Sequence, residues 1–472
     1  MQRSLPIKIL FAALFLSFLL PQLVLNTGCA NQIPPTGGVR DSLPPMLISA
    51  RPADSSRNFT GKKIVFEFNE FVTVENAIQN LLVSPTPKLP PEVVSKLHTV
   101  TLTIKDTLEP NTTYTYDFGN AIKDINESNI LKNFSYTFST GNKLDDLELT
   151  GKVLIAESGL TDSTLIAVLY RKREDSVIMK ERPRYISRVN KDGNFHFKNL
   201  PAGTFYLYAY QDGSQKQYVD SLFAYADSPI IISDSTKPVV LYAYTETERR
   251  KPTGPRIPPV RGANAAADKR LRLETSLQAG EQDLLKPFEV YFRAAPIKEF
   301  DSTKIIFADE KLKPITNYRI IRDTSNTKLT FVYPWVENTA YVLIVDKDFA
   351  SDTAGRKLLK TDTLQFRTRK QSDYGSIRLR FPNLDLSRNP VLQIVQNGVV
   401  KTSHVFTTKD YYVKLYIPGE YDMRILYDEN KNGIWDRGQF FGTTRKQPER
   451  VIPIARKLIV KANWDAEVDI TL

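Results

Sequence analysis

Four oxygen-bearing side chains at set intervals form the clearest chemical pattern in this chain. Asp428, Asn430, Asn432 and Asp436, with Gly433 among them, stand at positions 1, 3, 5, 9 and 6 of a calcium-binding loop. Alternating oxygens can curl around a hard cation, and glycine permits the sharp turn that the curl requires. The twelfth position is Gln439, so the bidentate carboxylate of such loops is missing, and no helical pattern flanks the segment. The spacing predicts weak structural calcium binding, at about 10⁻⁴–10⁻³ M. The competing reading is an Asx-rich hairpin turn with Asn432-Gly433 at its tip.

Other reactive side chains are sparse. The histidines His98, His196 and His404 are scattered and have no metal-ligand spacing. His196 alternates with Phe195 and Phe197, which points it to solvent. Cys29 is the sole cysteine, so no intrachain disulfide can form. No GxSxG elbow, HExxH helix, Walker loop, CxxC pair or dinucleotide glycine pattern occurs. The expectation is a protein without catalytic residues and without a cofactor other than a structural calcium ion. Trp435 and Trp464 read as covers for the end of a β-sandwich, with an exposed platform for sugar as the alternative.

The elements that would position these groups are strands. The chain has 472 residues, 41% hydrophobic and 25% charged, which is a globular composition too long for one ordinary domain. Aromatics reach 11%, a bias that suits pleated surfaces. The net charge of +11 comes from interleaved residues of both signs. One run is strongly basic, Glu248-Arg-Arg-Lys-Pro-Thr-Gly-Pro-Arg-Ile-Pro-Pro-Val-Arg-Gly262. Its prolines favour an extended connector, and its lack of aromatics argues against nucleic acid.

The N-terminus carries an address. Arg3 and Lys8 precede the apolar run Ile9–Leu20, as in a secretory signal. Leu25-Asn26-Thr27-Gly28-Cys29-Ala30 follows and resembles a bacterial lipobox. The resemblance implies lipidation of Cys29 and contact with the membrane through acyl chains, each buried CH₂ contributing about 0.8 kcal/mol. Surface-displayed lipoproteins of Bacteroidota-like bacteria often carry acidic residues after that cysteine. Ala30, Asn31 and Gln32 are neutral, which favours the periplasmic face of the outer membrane.

Beyond a Pro/Gly-rich tether the strand patterns come in two alternating kinds. Ile64-Val-Phe-Glu-Phe-Asn-Glu70 alternates, Thr99–Ile104 and Thr113–Phe118 continue the pattern, and Phe134–Thr140 closes it. With Pro44-Pro45, Arg51-Pro52 and Leu108-Glu-Pro-Asn-Thr-Thr-Tyr114, this segment resembles the bacterial Ig-like domain of the S-layer (SbsA) type. Phe288-Glu-Val-Tyr-Phe292, Val336-Glu-Asn-Thr-Ala-Tyr341 and Thr363–Thr368 repeat it, with Pro296-Ile297 in place of the end of its first strand. The second kind centres on Leu200-Pro-Ala-Gly-Thr-Phe-Tyr-Leu-Tyr-Ala-Tyr210, echoed by Ile417-Pro-Gly-Glu-Tyr421. Preceded by Asp192-Gly193 and Phe195-His-Phe197, it resembles the prealbumin-like modules of carboxypeptidase regulatory and collagen-adhesin B-type repeats.

The expected fold is all-β, with tandem Ig-like and prealbumin-like β-sandwich modules. The expected map is a lipoprotein signal peptide over 1–28, a tether over 29–45, an Ig-like domain over 46–142 and a prealbumin-like sandwich over 145–247. A basic linker (248–268), a divergent Ig-like domain (269–369) and a second prealbumin-like sandwich (372–472) follow. These resemblances imply a non-catalytic envelope spacer, scaffold or adhesion module with a protein or polysaccharide partner. A glycan-binding or glycan-processing accessory protein is the alternative. Triplets starting at Asp41, Asp106, Asp162, Asp175, Asp220, Asp234, Asp301, Asp352 and Asp362 also resemble the O-glycosylation sequon of secreted Bacteroidota proteins.

Overall fold

The computed structural model describes residues 40–173, 176–211, 221–246, 270–292, 295–442 and 444–472. The signal segment, Cys29, most of the tether and the basic linker lie outside the described residues, as do the sequons at Asp175 and Asp220. Among the described residues, no helix is long and apolar enough to cross a membrane. The protein is all-β, a tandem of β-sandwich modules, and the chain divides into two compact units. One comprises residues up to Leu81, Lys88–Glu109 and Tyr116–Phe138, and the other Leu82–Pro87, Pro110–Thr115 and Ser139–Leu472.

Module one contributes β1 (Leu47–Arg51), β2 (Lys63–Phe68), β3 (Val72–Val74), β4 (Leu82–Ser84), β5 (Glu92–Lys96), β6 (Thr99–Thr103), β7 (Thr113–Gly119), β8 (Ile122–Asp124), β9 (Ile130–Leu131) and β10 (Phe134–Ser139). An antiparallel sheet runs β1-β2-β6-β5, and β3-β8-β9 forms a smaller one. The alternation of β2 turns Ile64, Phe66 and Phe68 inward, where Phe66 meets Phe118 and Tyr136 edge-on at 5.8 and 5.1 Å. Such edge contacts satisfy the ring quadrupoles while burying apolar area.

Module two holds β11 (Leu147–Ile155), β12 (Leu165–Tyr170), β13 (Tyr185–Arg188), β14 (Asn194–Leu200), β15 (Gly203–Gln211), β16 (Phe223–Tyr225), β17 (Ile230–Ile232) and β18 (Val239–Ala243). A three-stranded sheet β14-β11-β18, whose last pair is parallel, faces the sheet β13-β12-β15-β16. Phe205, Leu207 and Ala209 of β15 point into the core between them, as the alternation requires.

Module three holds β19 (Leu273–Thr275), β20 (Glu281–Gln282), β21 (Phe288–Phe292), β22 (Ile297–Phe300), β23 (Ile305–Asp309), β24 (Arg319–Arg322), β25 (Lys328–Val332), β26 (Ala340–Val345), β27 (Ala350–Asp352) and β28 (Asp362–Thr368). Its sheet β19-β21-β25-β24 repeats the strand order β1-β2-β6-β5. The apparent departure at Pro296-Ile297 has a simple cause. Ile297 opens β22, which pairs with β27 as β3 pairs with β8.

Module four holds β29 (Gly375–Arg380), β30 (Pro390–Gln396), β31 (Val399–Val405), β32 (Asp410–Tyr416), β33 (Gly419–Tyr427), β34 (Arg450–Val460) and β35 (Asp465–Asp469). Its sheets, β32-β29-β35 and β31-β30-β33-β34, repeat those of module two, down to a parallel pair between first and last strands. Gly203 and Gly419 open equivalent strands at φ +149° and +159°, a backbone range that a Cβ disfavours. That shared requirement explains why both copies carry a Pro-Gly or Pro-Ala-Gly turn.

Candidate functional site: the loop between β33 and β34

The Asx-rich segment is not a tight hairpin turn. β33 ends at Tyr427 and β34 begins at Arg450, so residues 428–449 make a long excursion. Asp428 sits at its root with a buried carboxylate. Oδ1 accepts from the backbone N–H of Lys431 at 2.7 Å and of Asn432 at 3.3 Å, and Oδ2 from that of Gly433 at 2.6 Å. Gly433 adopts φ +78°, which lets the chain fold over this carboxylate. Asn430 and Asn432 use their Oδ1 atoms to accept from the N–H groups of Asn432 and Ile434 at 3.1 and 2.8 Å. Both amides also donate to Asp436 Oδ2, Asn432 at 2.8 Å. The spacing thus brings all four expected residues into one hydrogen-bonded loop.

The residue that spacing did not reveal is Glu449. Gln439, at the nominal twelfth position, lies further along the chain and exchanges two backbone bonds of 2.8 Å with Lys446. Glu449 returns instead to the root of the loop. Its buried carboxylate accepts from the N–H of Glu429 at 2.8 Å and of Asp436 at 2.9 Å. Burial raises its pKa, and the charges of Asp428 and Asp436 push in the same direction. Trp435 donates from Nε1 to the Glu449 carbonyl at 2.8 Å and rests against Val391, Leu426 and Val451. Its acidic type was the only signal for Glu449, because a return across a long excursion has no fixed spacing. Among the described residues, no group of three or more His, Cys, Asp or Glu side chains is arranged to hold a metal ion.

The other expected positions are dispersed. Trp464 is 57% exposed, with the Lys461 ammonium 4.6 Å from its ring centre, so it does not cover the sandwich end as Trp435 does. The His98 ring packs on Phe71 at 4.5 Å, and His196 projects to solvent beside Glu148 at 2.8 Å. His404 lies against Tyr411 and Phe406, and burial lowers its pKa. The hydroxyl residues of the seven described sequons, Ser42, Thr107, Ser163, Ser235, Ser302, Thr353 and Thr363, are all exposed.

Two further aspartates organise loops at equivalent places in modules one and three. Asp124 and Asp352 are both buried at the ends of β8 and β27. Asp124 accepts backbone N–H groups from Glu127, Ser128 and Asn129 at 2.6, 2.9 and 2.6 Å. Asp352 accepts those of Ala354 and Arg356, each at 2.9 Å, and the Arg356 Nε at 2.7 Å. Burial pushes both pKa values up, but the hydrogen bonds outweigh it and hold both below the usual range.

Residues 41–140 match the family described as bacterial Ig-like domain, so the first module is a domain of that kind. No curated protein matches the chain. Among solved structures, the Bacillus anthracis TIE protein is 11% identical over 92% of this chain and 76% of its own, with a TM-score of 0.17. The major pilin subunit BcpA of Bacillus cereus is 8% identical over 70% of this chain and 99% of its own, at 0.17. The N-terminal part of the bacterial S-layer protein SbsC is 14% identical over 43% of this chain and 44% of its own, at 0.16. At these scores the likenesses carry no argument about function.

Proposed function

We propose that this chain is a non-catalytic cell-envelope lipoprotein that serves as a spacer, scaffold or adhesion module. The observation that carries the reading is the bacterial Ig-like domain at residues 41–140 at the head of a tandem of β-sandwich modules. The proposed domain boundaries are those of the sequence map, with Cys29 as lipid anchor and the modules on the periplasmic face of the outer membrane. Replacing Cys29 by Ala should release the protein from membranes. Retention of the mutant after alkaline extraction would contradict a lipid anchor and point to an uncleaved helix. A pull-down from membranes with the wild-type protein would name the protein or polysaccharide partner.

We also propose a weak structural calcium site formed by Asp428, Asn430, Asn432 and Asp436. The fit rests on the donor set. The two Asn side chains already lie beside Asp436, and rotating their amides would present oxygens in place of N–H groups. At a dissociation constant of about 10⁻⁴–10⁻³ M, millimolar calcium would stabilise the module by about 0.4–1.4 kcal/mol. The melting temperature should therefore rise in millimolar calcium over chelator for wild type and not for Asp428→Ala. An unchanged wild-type value would leave a purely hydrogen-bonded loop.

The exposure of Trp464 favours a second reading, glycan binding by the envelope protein. Glycan-array signal lost on Trp464→Ala but kept on Cys29→Ala would support it, and a blank array for the wild type would remove it.

A further inference from the structure

Residues 437–442 and 444–447 leave module four as an arm and end on another module. Phe440 is fully buried, yet it has no part in the core of module four. Its ring lies 4.9 Å from that of Phe223, 4.9 Å from Tyr225 and 5.7 Å from Tyr208. These three belong to the outer face of the β13-β12-β15-β16 sheet of module two, with Ile166, Val168 and Tyr210. Polar contacts frame the rings. The N–H groups of Phe440 and Phe441 donate to one carboxylate oxygen of Glu246, and Arg437 donates to the Glu246 carbonyl at 3.0 Å. Gln447 Nε2 reaches the Tyr225 carbonyl at 3.1 Å and Asp227 Oδ1 at 2.8 Å. The backbone of the arm lies so close that a Cβ added at Gly438 would stand 2.6 Å from the Tyr244 ring.

A second close approach lies apart from the arm. A Cβ on Gly159, in the turn between β11 and β12, would meet Pro453 Cδ of β34 at 2.3 Å. The Arg450 guanidinium stacks 4.6 Å from the centre of the Tyr242 ring. These contacts bridge residues 191 to 294 apart in sequence, across the whole of module three.

We propose that the arm and the aromatic face form a clasp. The outer face of module two is a docking site, and its occupant is the arm of the same chain that carries Arg437, Phe440, Phe441 and Gln447. A buried aromatic anchor ringed by polar contacts is the arrangement that concentrates binding energy at interfaces between separate proteins. Tethering supplies the arm at high effective concentration, so the clasp re-forms after opening. Cutting residues 247–269 removes that tether, and the buried anchor with its framing hydrogen bonds then holds the two halves together as separate chains. This inference depends neither on the lipid anchor nor on calcium.

The test is to place a specific protease site within 247–269 of the full-length protein, cut it, and run size-exclusion chromatography without denaturant. The cut wild-type halves should co-elute as one species. Phe440→Ala should weaken their association roughly 30-fold or more. Because that change could disturb module four, a Glu246→Gln, Gln447→Ala double variant, outside both sandwich cores, serves as the second arm and should weaken association about tenfold. Wild-type halves that separate on cutting would overturn the clasp. So would Phe440→Ala and double-variant halves that co-elute as tightly as wild type, since cohesion would then lie elsewhere.

Discussion

Modules two and four share a strand order and differ in what their outer faces carry. In module two the outward pairs between β12 and β15 are Ile166–Tyr210, Val168–Tyr208 and Tyr170–Tyr206, a surface of rings and branched chains. The matching pairs between β30 and β33 are Val391–Leu426, Gln393–Arg424 and Val395–Asp422. Where module two places Val168 against Tyr208, module four places Gln393 against Arg424. Those two groups are buried together, the Arg424 Nε donating to Gln393 Oε1 at 2.7 Å. Burial lowers the Arg424 pKa, and the charge of Glu157 opposes that shift. The inner faces obey one rule in both copies, apolar side chains at every second position. The outer faces are free to diverge, and here one became an aromatic docking surface while the other kept a polar pair. Burial also pushes the phenols of Tyr170, Tyr208 and Tyr225 up to about 12, so these rings stay neutral well above the pH at which an exposed tyrosine ionises.

The largest expected effect would break this comparison if it failed. Phe223→Ala on the outer face of module two should cost about 3–5 kcal/mol, as much as Phe205→Ala on its inner face. Urea unfolding of both variants checks this. A loss within about 0.5 kcal/mol at Phe223 would mean that the outer face behaves as ordinary surface.

Next in size is the buried aspartate of module three. Asp352→Asn should cost about 1.5–3 kcal/mol, because its hydrogen bonds are made by a charged acceptor. Its folded pKa lies below the ordinary 3.8. The stabilisation is therefore fully present above the unfolded value and is lost as pH falls through the folded one. Acid titration of thermal stability should show this loss below about pH 4 in wild type and a weaker dependence in Asp352→Asn.

Smallest is the polar pair of module four. Arg424→Ala should cost about 1–3 kcal/mol by leaving Gln393 buried without its donor, while Gln393→Leu with Arg424→Met should be nearly neutral. Unfolding curves of the three proteins would sharpen the comparison. An equal loss in the single and double variants would show that packing, not hydrogen bonding, matters at this site.

Much of the fold was readable in the residues, for local reasons. Ile64, Phe66 and Phe68 alternate because one side of β2 faces a core. Gly203 and Gly419 recur because both turns need a backbone that other residues resist. The Asp428–Asp436 loop was readable because its bonds close within a few residues. What stayed hidden depends on distant chain. Glu449 meets the loop after a long excursion. Phe440-Phe441 looks like a piece of strand, and partners such as Phe223 and Tyr225, more than 200 residues away, make it an anchor. The exposure of Trp464 was equally hidden, because nothing in its own sequence neighbourhood says whether other chain packs above it.

Limited proteolysis of the intact chain, with mass spectrometry of the products, tests the modular account most directly. The account predicts first cleavage between Thr247 and Lys269, with Phe195–Tyr210 resistant because β14 pairs with β11, and β15 with β12 and β16, in the two sheets of the sandwich. Equal resistance at 247–269 together with early cleavage inside Phe195–Tyr210 would contradict it.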